Sequence, residues 1–239
     1  MPDETLPKLD REPRGARRKR DTRARLLKAA FTLMAEKGLD AVAINEITEV
    51  ADVGFGSFYN HFASKEAIHA ELMAEVIGHF AAALNRLGEQ VQDPAEKISA
   101  STRYTLLRAR QDPLWGRFVV RTGFSPDGVS LGLGQYLLQD LSNGVAAKRF
   151  HAADLPMTFV AVGSTILGAL ATELEVHRSA AQAVTPVQQP VHAMLGDASD
   201  IPERIATILL TWLGLSVGEA QEIARRPLPV VELPPNPLM

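Results

Sequence analysis

The sequence predicts an all-α protein: an N-terminal three-helix bundle carrying a helix-turn-helix, followed by a larger C-terminal helical domain. Three observations predict it. Apolar residues recur at spacings of three and four along nearly the whole chain, and strand-type alternation is weak. The stretch from Ile44 to Glu66 reads as two short helices joined by a tight turn, followed at once by a third helix start. A basic run, Arg17-Arg18-Lys19-Arg20, sits just before the helix upstream of that motif. A small domain with these parts places one helix in a DNA major groove and an arm beside it, so DNA binding is the leading functional reading.

The elements follow in order. Residues 1–16 are polar with three prolines and read as a disordered tail. The first helix is expected over 22–37, with Leu26, Leu27, Ala30, Phe31 and Met34 as its apolar stripe and Gly38 as its stop. The turn motif supplies helices over 44–51 and 55–61. The fourth helix starts at Ser64, an N-cap with Glu66 in the first turn, and Ile68, Leu72, Val76, Phe80, Ala83 and Leu87 give it one long apolar face. Asp93-Pro94 opens the fifth helix and Asp112-Pro113 the sixth, each with a capping side chain before a proline at the first helical position. Residues 123–130 read as a loop, 131–149 as a helix, and 155–178 as a long helix started by Asp154 and Pro156. Residues 179–200 read as a loose linker. Pro202 opens a helix to 213, Ser216-Val217-Gly218-Glu219 forms a capping box for a short last helix, and the tail from Pro227 holds five prolines and should be extended.

Composition narrows the function classes. With 239 residues and 46% hydrophobic content the chain can bury a real core. Net charge is only −3, but residues 1–25 carry +4 and the remainder −7, the pattern of a protein that docks on phosphate through one end. A solvated basic tail is the plainer reading of the same run. The absence of cysteine excludes disulfides, thiolate catalysis and thiolate metal sites, and fits a reducing cytoplasm. No secretory signal is read, and no apolar run approaches ~18 uninterrupted residues, so no membrane span is expected. Enzyme readings find no support. Gly132-Leu133-Gly134 has no preceding strand and no third glycine, so it is no phosphate loop. The histidines are scattered, and Glu75 with His79 offers only two ligands at metal spacing. No catalytic residue, metal or cofactor is expected.

Within the turn motif, Ile44, Ile47, Val50 and Val53 are spaced to bury the second helix against the first. Asp52 tolerates the left-handed conformation that a tight turn needs. The third helix carries small or hydrogen-bonding residues on one side (Gly56, Ser57, Asn60), while Phe58 and Phe62 should pack inward. Small residues let a helix approach base edges, and Tyr59 and His61 offer donors to phosphate. Here the chain resembles the TetR family of bacterial transcriptional regulators, through Gly56-Ser57-Phe58-Tyr59-Asn60-His61-Phe62, then Ser64-Lys65-Glu66, with matching spacing back to Gly38 and Ile47. The resemblance is specific over about residues 20–75 and only architectural beyond residue 90. It implies that Ser57, Tyr59, Asn60, His61 and Lys65 contact DNA, with Lys65 at a helix N-terminus. Arg18 and Arg20 join them as arm residues, in the minor groove or on the backbone. Asp52 stands where the family usually has glycine, and Gly54-Phe55 where a Ser-Arg type pair is common, so a bidentate guanine contact is in doubt. Phe55 either touches a thymine methyl or packs against the turn.

The resemblance also divides the chain: tail 1–16, helix-turn-helix 17–63, effector-binding and dimerisation domain 64–226, proline-rich tail 227–239. Small residues in the helix over 155–178 (Ala161, Gly163, Ser164, Gly168, Ala169, Ala171) and the apolar face of 202–213 suit a homodimer interface, as twofold half-sites require; ordinary intrachain packing is the alternative. Candidate ligand-pocket residues are Arg103, Tyr104, Arg108, Trp115, Phe118, Arg121, Thr165 and Glu173, around a small hydrophobic or aromatic effector. The expected protein is therefore a cytoplasmic repressor that grips a pseudo-palindromic operator in double-stranded DNA and releases it on binding that effector. The rival is a helical small-molecule-binding or scaffold dimer that does not read DNA.

Overall fold

The computed structural model describes residues 13–180, 197–231 and 234–238, and every regular element among them is helical. The head consists of α1 (Arg14–Lys37), α2 (Ile44–Val50) and α3 (Phe55–Tyr59). Helix α1 starts earlier than the expected Thr22, so residues 14–16, assigned to the tail, form its first turn. Arg, Lys and Ala are good helix formers, and Asp21 sits 3.9 Å from both Arg17 and Arg20. The rest of the expected N-terminal tail, 1–12, lies outside the described residues.

The fourth predicted helix is a rod of three pieces: α4 (Lys65–Leu72), a π-helical stretch (Met73–Gly78) and α5 (His79–Gln90). All six residues of its predicted apolar face are buried. The π turn was not foreseen. Its Val76 carbonyl accepts a hydrogen bond from the indole Nε1 of Trp115 at 3.1 Å. Next come α6 (Pro94–Gln111) and α7 (Pro113–Thr122). Each opens as expected: Asp93 accepts from the Ala95 amide at 2.9 Å and Asp112 from the Trp115 amide at 3.0 Å.

The expected loop 123–130 contains a short helix, α8 (Pro126–Leu131), with Ser125 accepting from the Gly128 amide at 3.0 Å. Gly128 is required there, because a Cβ would lie 2.1 Å from the Thr122 carbonyl. Helix α9 (Leu133–Ala146) is shorter than expected, and α10 runs Leu155–Ala180. Most of the expected linker, 181–196, lies outside the described residues, and its end is a 3₁₀ turn at Ala198–Asp200. Helices α11 (Ile201–Trp212) and α12 (Val217–Arg225) complete the fold.

The described part of the C-terminal tail is non-helical, as predicted, but it is docked. Pro229 accepts from the Tyr104 hydroxyl, Pro234 from Arg108 at 3.1 Å, and Asn236 donates to Asp112 at 2.8 Å. Leu238 is buried in the core.

One apolar cluster runs without a break from the head (Leu26, Phe31, Met34, Ile47, Phe58, Phe62) through Ile68 and Leu72 into Trp115 and Phe118. Phe31 and Phe118 meet edge-on with ring centroids 5.3 Å apart. At ~1.5–3 kcal/mol for each fully buried large side chain, this cluster binds the head to the body through shared packing. A second cluster joins α6, α9, α10, α11 and α12 around Leu141, Phe150, Leu209 and Leu213.

Two helical stretches are long and apolar enough to cross a membrane by length and composition. Lys65–Gly88 is 56% buried within the fold, but Leu155–Arg178, of mean hydropathy 1.6, is only 17% buried. With Met157, Val160, Ile208 and Trp212 exposed, α10 and α11 present an apolar face outward.

Candidate nucleic-acid interface and ligand cavity

The head is shaped by its turn. Asp52 adopts φ 52°, the left-handed conformation expected of it, and its carbonyl accepts from Arg25 at 3.1 Å. Gly54 is extended and opens α3. Phe58 and Phe62 are buried, anchoring α3 from within. Ile47 is buried, but Val50 is 58% exposed, against expectation: Ala51, four residues after Ile47, takes the inward position instead.

The outward face of α3 carries Phe55 and Tyr59, each 51% exposed, with ring centroids 5.5 Å apart at 77°. Gly56 and Asn60 lie exposed beside them, and a Cβ on Gly56 would meet nothing within 4 Å. The Phe55 ring thus stands half clear of the fold, against Tyr59. Two shallow concavities flank this face. Arg18, Lys19 and Thr22 from α1 line one with Ser57, Asn60 and His61. Tyr59 and Lys65 line the other with Val42, Ala43, Ile44 and Ser64.

The fold therefore gathers Arg18, Phe55, Gly56, Ser57, Tyr59, Asn60, His61 and Lys65 on one side of the head. Arg20 lines neither concavity. Lys19, part of the basic run, joins Arg18 here; Thr22 is new to the site, and its spacing of four from Arg18, one turn of a helix, is the signal that points to it. His61 is half-buried, and its pKa is pushed below the usual histidine value by burial first, then by Lys19 and Arg23. The imidazole is therefore neutral near pH 7, a single N–H donor. Arg23 turns the other way. It pairs with Glu71 and lies 4.8 Å over the Phe62 ring, fixing α1 to α4. Ser64 accepts from the Ala67 amide at 3.2 Å, which presents Lys65 in the first turn of α4.

The body contains a cavity of about 910 Å³, counted with its open mouth, between the π stretch, α5, α6, α7, α9 and α10. Met73, Ile77, Leu84, Val119, Phe159 and Leu170 are among its apolar walls; Asn85, Ser101, Thr102, Thr105, Tyr136 and Asp140 are its polar groups.

None of the eight candidate pocket residues lines this cavity. Arg103 pairs with Glu203 at 2.9 Å and donates to the Arg226 carbonyl. Tyr104 and Arg108 hold the C-terminal tail. Trp115 and Phe118 are fully buried core. Arg121 donates to the Ala35 and Glu36 carbonyls, 3.1 and 2.6 Å away, clamping α7 to the end of α1. Thr165 bonds the Ala161 carbonyl of its own helix. Glu173, with no side-chain exposure, pairs with Arg110. The cations and aromatics that looked like ligand contacts are the joints of the fold. The cavity is instead lined by aliphatic and small residues, which sequence spacing cannot distinguish from ordinary core.

Comparison with known proteins agrees with this geometry. The family model for bacterial regulatory proteins of the tetR family matches residues 26–72, and that for the tetracyclin repressor-like C-terminal domain matches residues 93–226. The repressor KstR2 of Mycobacterium tuberculosis is 33% identical over 76 residues, 32% of this chain and 38% of that protein. The repressor NemR of Escherichia coli is 36% identical over 72 residues, 30% and 35% of the two chains. The match thus spans little more than a third of these curated relatives. Among solved structures, RolR in complex with resorcinol superposes with a TM-score of 0.63 at 30% identity, covering 91% of this chain and 100% of that one. FadR from Bacillus subtilis in complex with stearoyl-CoA shares the fold (TM-score 0.59, 17% identity, 79% and 97% covered). With a helix-turn-helix head at its N-terminus, a cavity in a helical body and both family models matched, the chain belongs to the tetR family of bacterial regulatory proteins.

Proposed function

We propose that the protein is a transcriptional repressor that grips a pseudo-palindromic operator as a homodimer and lets go when a small hydrophobic or aromatic molecule enters the cavity. The observation that carries the reading is the outward face of α3, where Phe55, Tyr59 and Asn60 stand clear of the core between two concavities bearing Arg18, Lys19 and Lys65. A helix with small and hydrogen-bonding residues reaches base edges, and cations on both sides meet the phosphates that fix its register.

The second copy supports the same reading. Helix α10, within a stretch that is only 17% buried, leaves Met157 and Val160 exposed, and α11 leaves Ile208 and Trp212 exposed. A patch of this kind is covered by an identical patch in an isologous dimer. Such a dimer works in the cytoplasm, where the operator is.

Release follows from the shared helices. Val119 and Gly123 line the cavity, while Phe118 and Arg121 of the same helical segment hold α1. A ligand that fits one arrangement of α7 better than the other shifts the head by no more than that difference in affinity.

The test is fluorescence anisotropy of the purified dimer on duplexes from its own upstream DNA at two salt concentrations, with random-duplex selection if none binds. Tight, salt-sensitive, sequence-preferring binding is expected. Binding that is indifferent to sequence and salt would leave the non-reading helical dimer as the better account.

A further inference from the structure

Asp140 is the one charged side chain on the cavity wall among the described residues. Its side chain is 7% exposed, and Lys97 Nζ lies 2.6 Å from Oδ1. Despite that close approach Oδ1 is buried without a well-aligned hydrogen-bond donor among the described residues, so the carboxylate keeps acceptor capacity. Lys97 itself does not line the cavity. Its stem fills the slot over Gly88, where a Cβ would fall 1.9 Å from Lys97 Cε. The ammonium is thus committed to Asp140, and among the described residues no Arg, Lys or His lines the cavity. Burial raises the Asp140 pKa, and the Lys97 hydrogen bond opposes that rise.

Consider what such a site accepts. A carboxylate ligand would bring a second negative charge to a buried carboxylate, with no free cation to meet it. An ammonium would add a second positive charge to a pair that Lys97 already neutralises. A neutral O–H or N–H donor, by contrast, gives the carboxylate a hydrogen bond without importing charge, and bonds to a charged acceptor are the strong ones. The remaining walls, which include Phe124 and Phe159, suit a flat apolar body. Thr105 spends its hydroxyl proton on the Ser101 carbonyl at 2.7 Å, so it offers the ligand only an acceptor.

We propose that the effector is an uncharged, ring-sized compound bearing a hydroxyl or similar donor, recognised by the Asp140 carboxylate, and that carboxylate ligands such as acyl chains are rejected. This rests on the cavity being the effector site. It does not depend on the head reading DNA, so its test uses no DNA.

Thermal shift and calorimetry of the full-length protein would compare resorcinol and phenol with benzoate, benzylamine and decanoate. The two phenols are expected to raise the melting temperature, and the three charged compounds are not. Asp140→Leu combined with Lys97→Met removes both charges and leaves no buried ion alone. That variant, and Asp140→Asn as a milder one, should weaken resorcinol by about 10-fold or more while circular dichroism stays that of the parent. Binding of benzoate or decanoate as tight as that of resorcinol would overturn the proposal. So would undiminished resorcinol binding in folded Asp140 variants, or no binding of either phenol.

Discussion

Replacing Glu173 by alanine separates a structural joint from a ligand contact. Its carboxylate has no side-chain exposure and takes two hydrogen bonds from Arg110, at 2.8 Å to Nε and 2.7 Å to Nη2. Arg110 is itself largely buried and also donates to the carbonyls of Ala198 and Ser199. Removing one partner of a buried pair costs about 3–5 kcal/mol, because the other charge is left without compensation. The two carbonyls soften that loss and place the cost near the lower end, about 3 kcal/mol. In a chain of this size each kcal/mol moves the melting temperature by about 2–4 °C, so a fall of roughly 6–12 °C is expected. Differential scanning calorimetry at fixed protein concentration measures it, since the melt of a dimer depends on concentration. Affinity for resorcinol, measured below the melt, should be unchanged because Glu173 lies outside the cavity wall. A melt within about 2 °C of the parent would refute the argument that this pair is a joint. Lost ligand binding with an intact melt would return Glu173 to the ligand site.

Four further outcomes follow from the geometry. Tyr59→Ala should weaken operator binding and leave the melt nearly intact, since the ring is half exposed, whereas Lys65→Ala should reduce the slope of log affinity against log salt by about 1. Unfolding of the Tyr59 variant would place that ring in the core. Gly38 has φ 83° and ψ 162°, a conformation open essentially to glycine alone, and a Cβ there would come no closer than 3.8 Å to Arg121. Gly38→Ala should therefore cost about 1–3 kcal/mol from backbone strain alone, read by chemical denaturation. Arg149, 2.9 Å from Asp93, holds that carboxyl below its ordinary value of 3.8. A depressed folded-state pKa contributes stability that is present above the unfolded value and lost as pH falls through the folded one. The melting difference between parent and Arg149→Gln should thus be largest near pH 7 and shrink below about pH 4. A difference that grew in acid would contradict it.

Helix order was readable because capping chemistry and periodicity are local. Asp93-Pro94 and Asp112-Pro113 each announce a helix within two residues, and both form caps. Ser125-Pro126 carries the same signal and was passed over, although it opens α8. The outward side of α3 was legible because buried Phe58 and Phe62 fix which side remains outside. The cavity was not. Whether Arg103, Arg110 or Arg121 meets a ligand, a carboxylate or a helix end depends on contacts across 63 to 100 residues of chain, such as Arg103 to Glu203, Arg110 to Glu173 and Arg121 to Glu36. No local pattern records those pairings. The π stretch is hidden likewise, because Met73–Gly78 keeps the apolar spacing of an ordinary helix while Trp115, far along the chain, bonds its Val76 carbonyl.

The same long-range joints would let a cavity with no residue from the head act on the head, as the proposed function requires. Met73 and Ile77 of the π stretch line the cavity, and the helix they belong to continues back through Leu72 and Ile68 into the cluster that holds Phe58 and Phe62. On the other side, α7 faces the cavity with Val119 and faces α1 with Phe118 and Arg121. A close-packed core does not yield gradually; it changes between discrete arrangements. A ligand pressing on Val119 or Ile77 must be accommodated by moving a helix that is also a wall of the head. Two joints, the Phe31–Phe118 contact and the Arg121 clamp, then decide how far α1 follows. Loosening the clamp should leave both binding sites intact and weaken only the free-energy link between them, which distinguishes a coupling joint from a contact in either site.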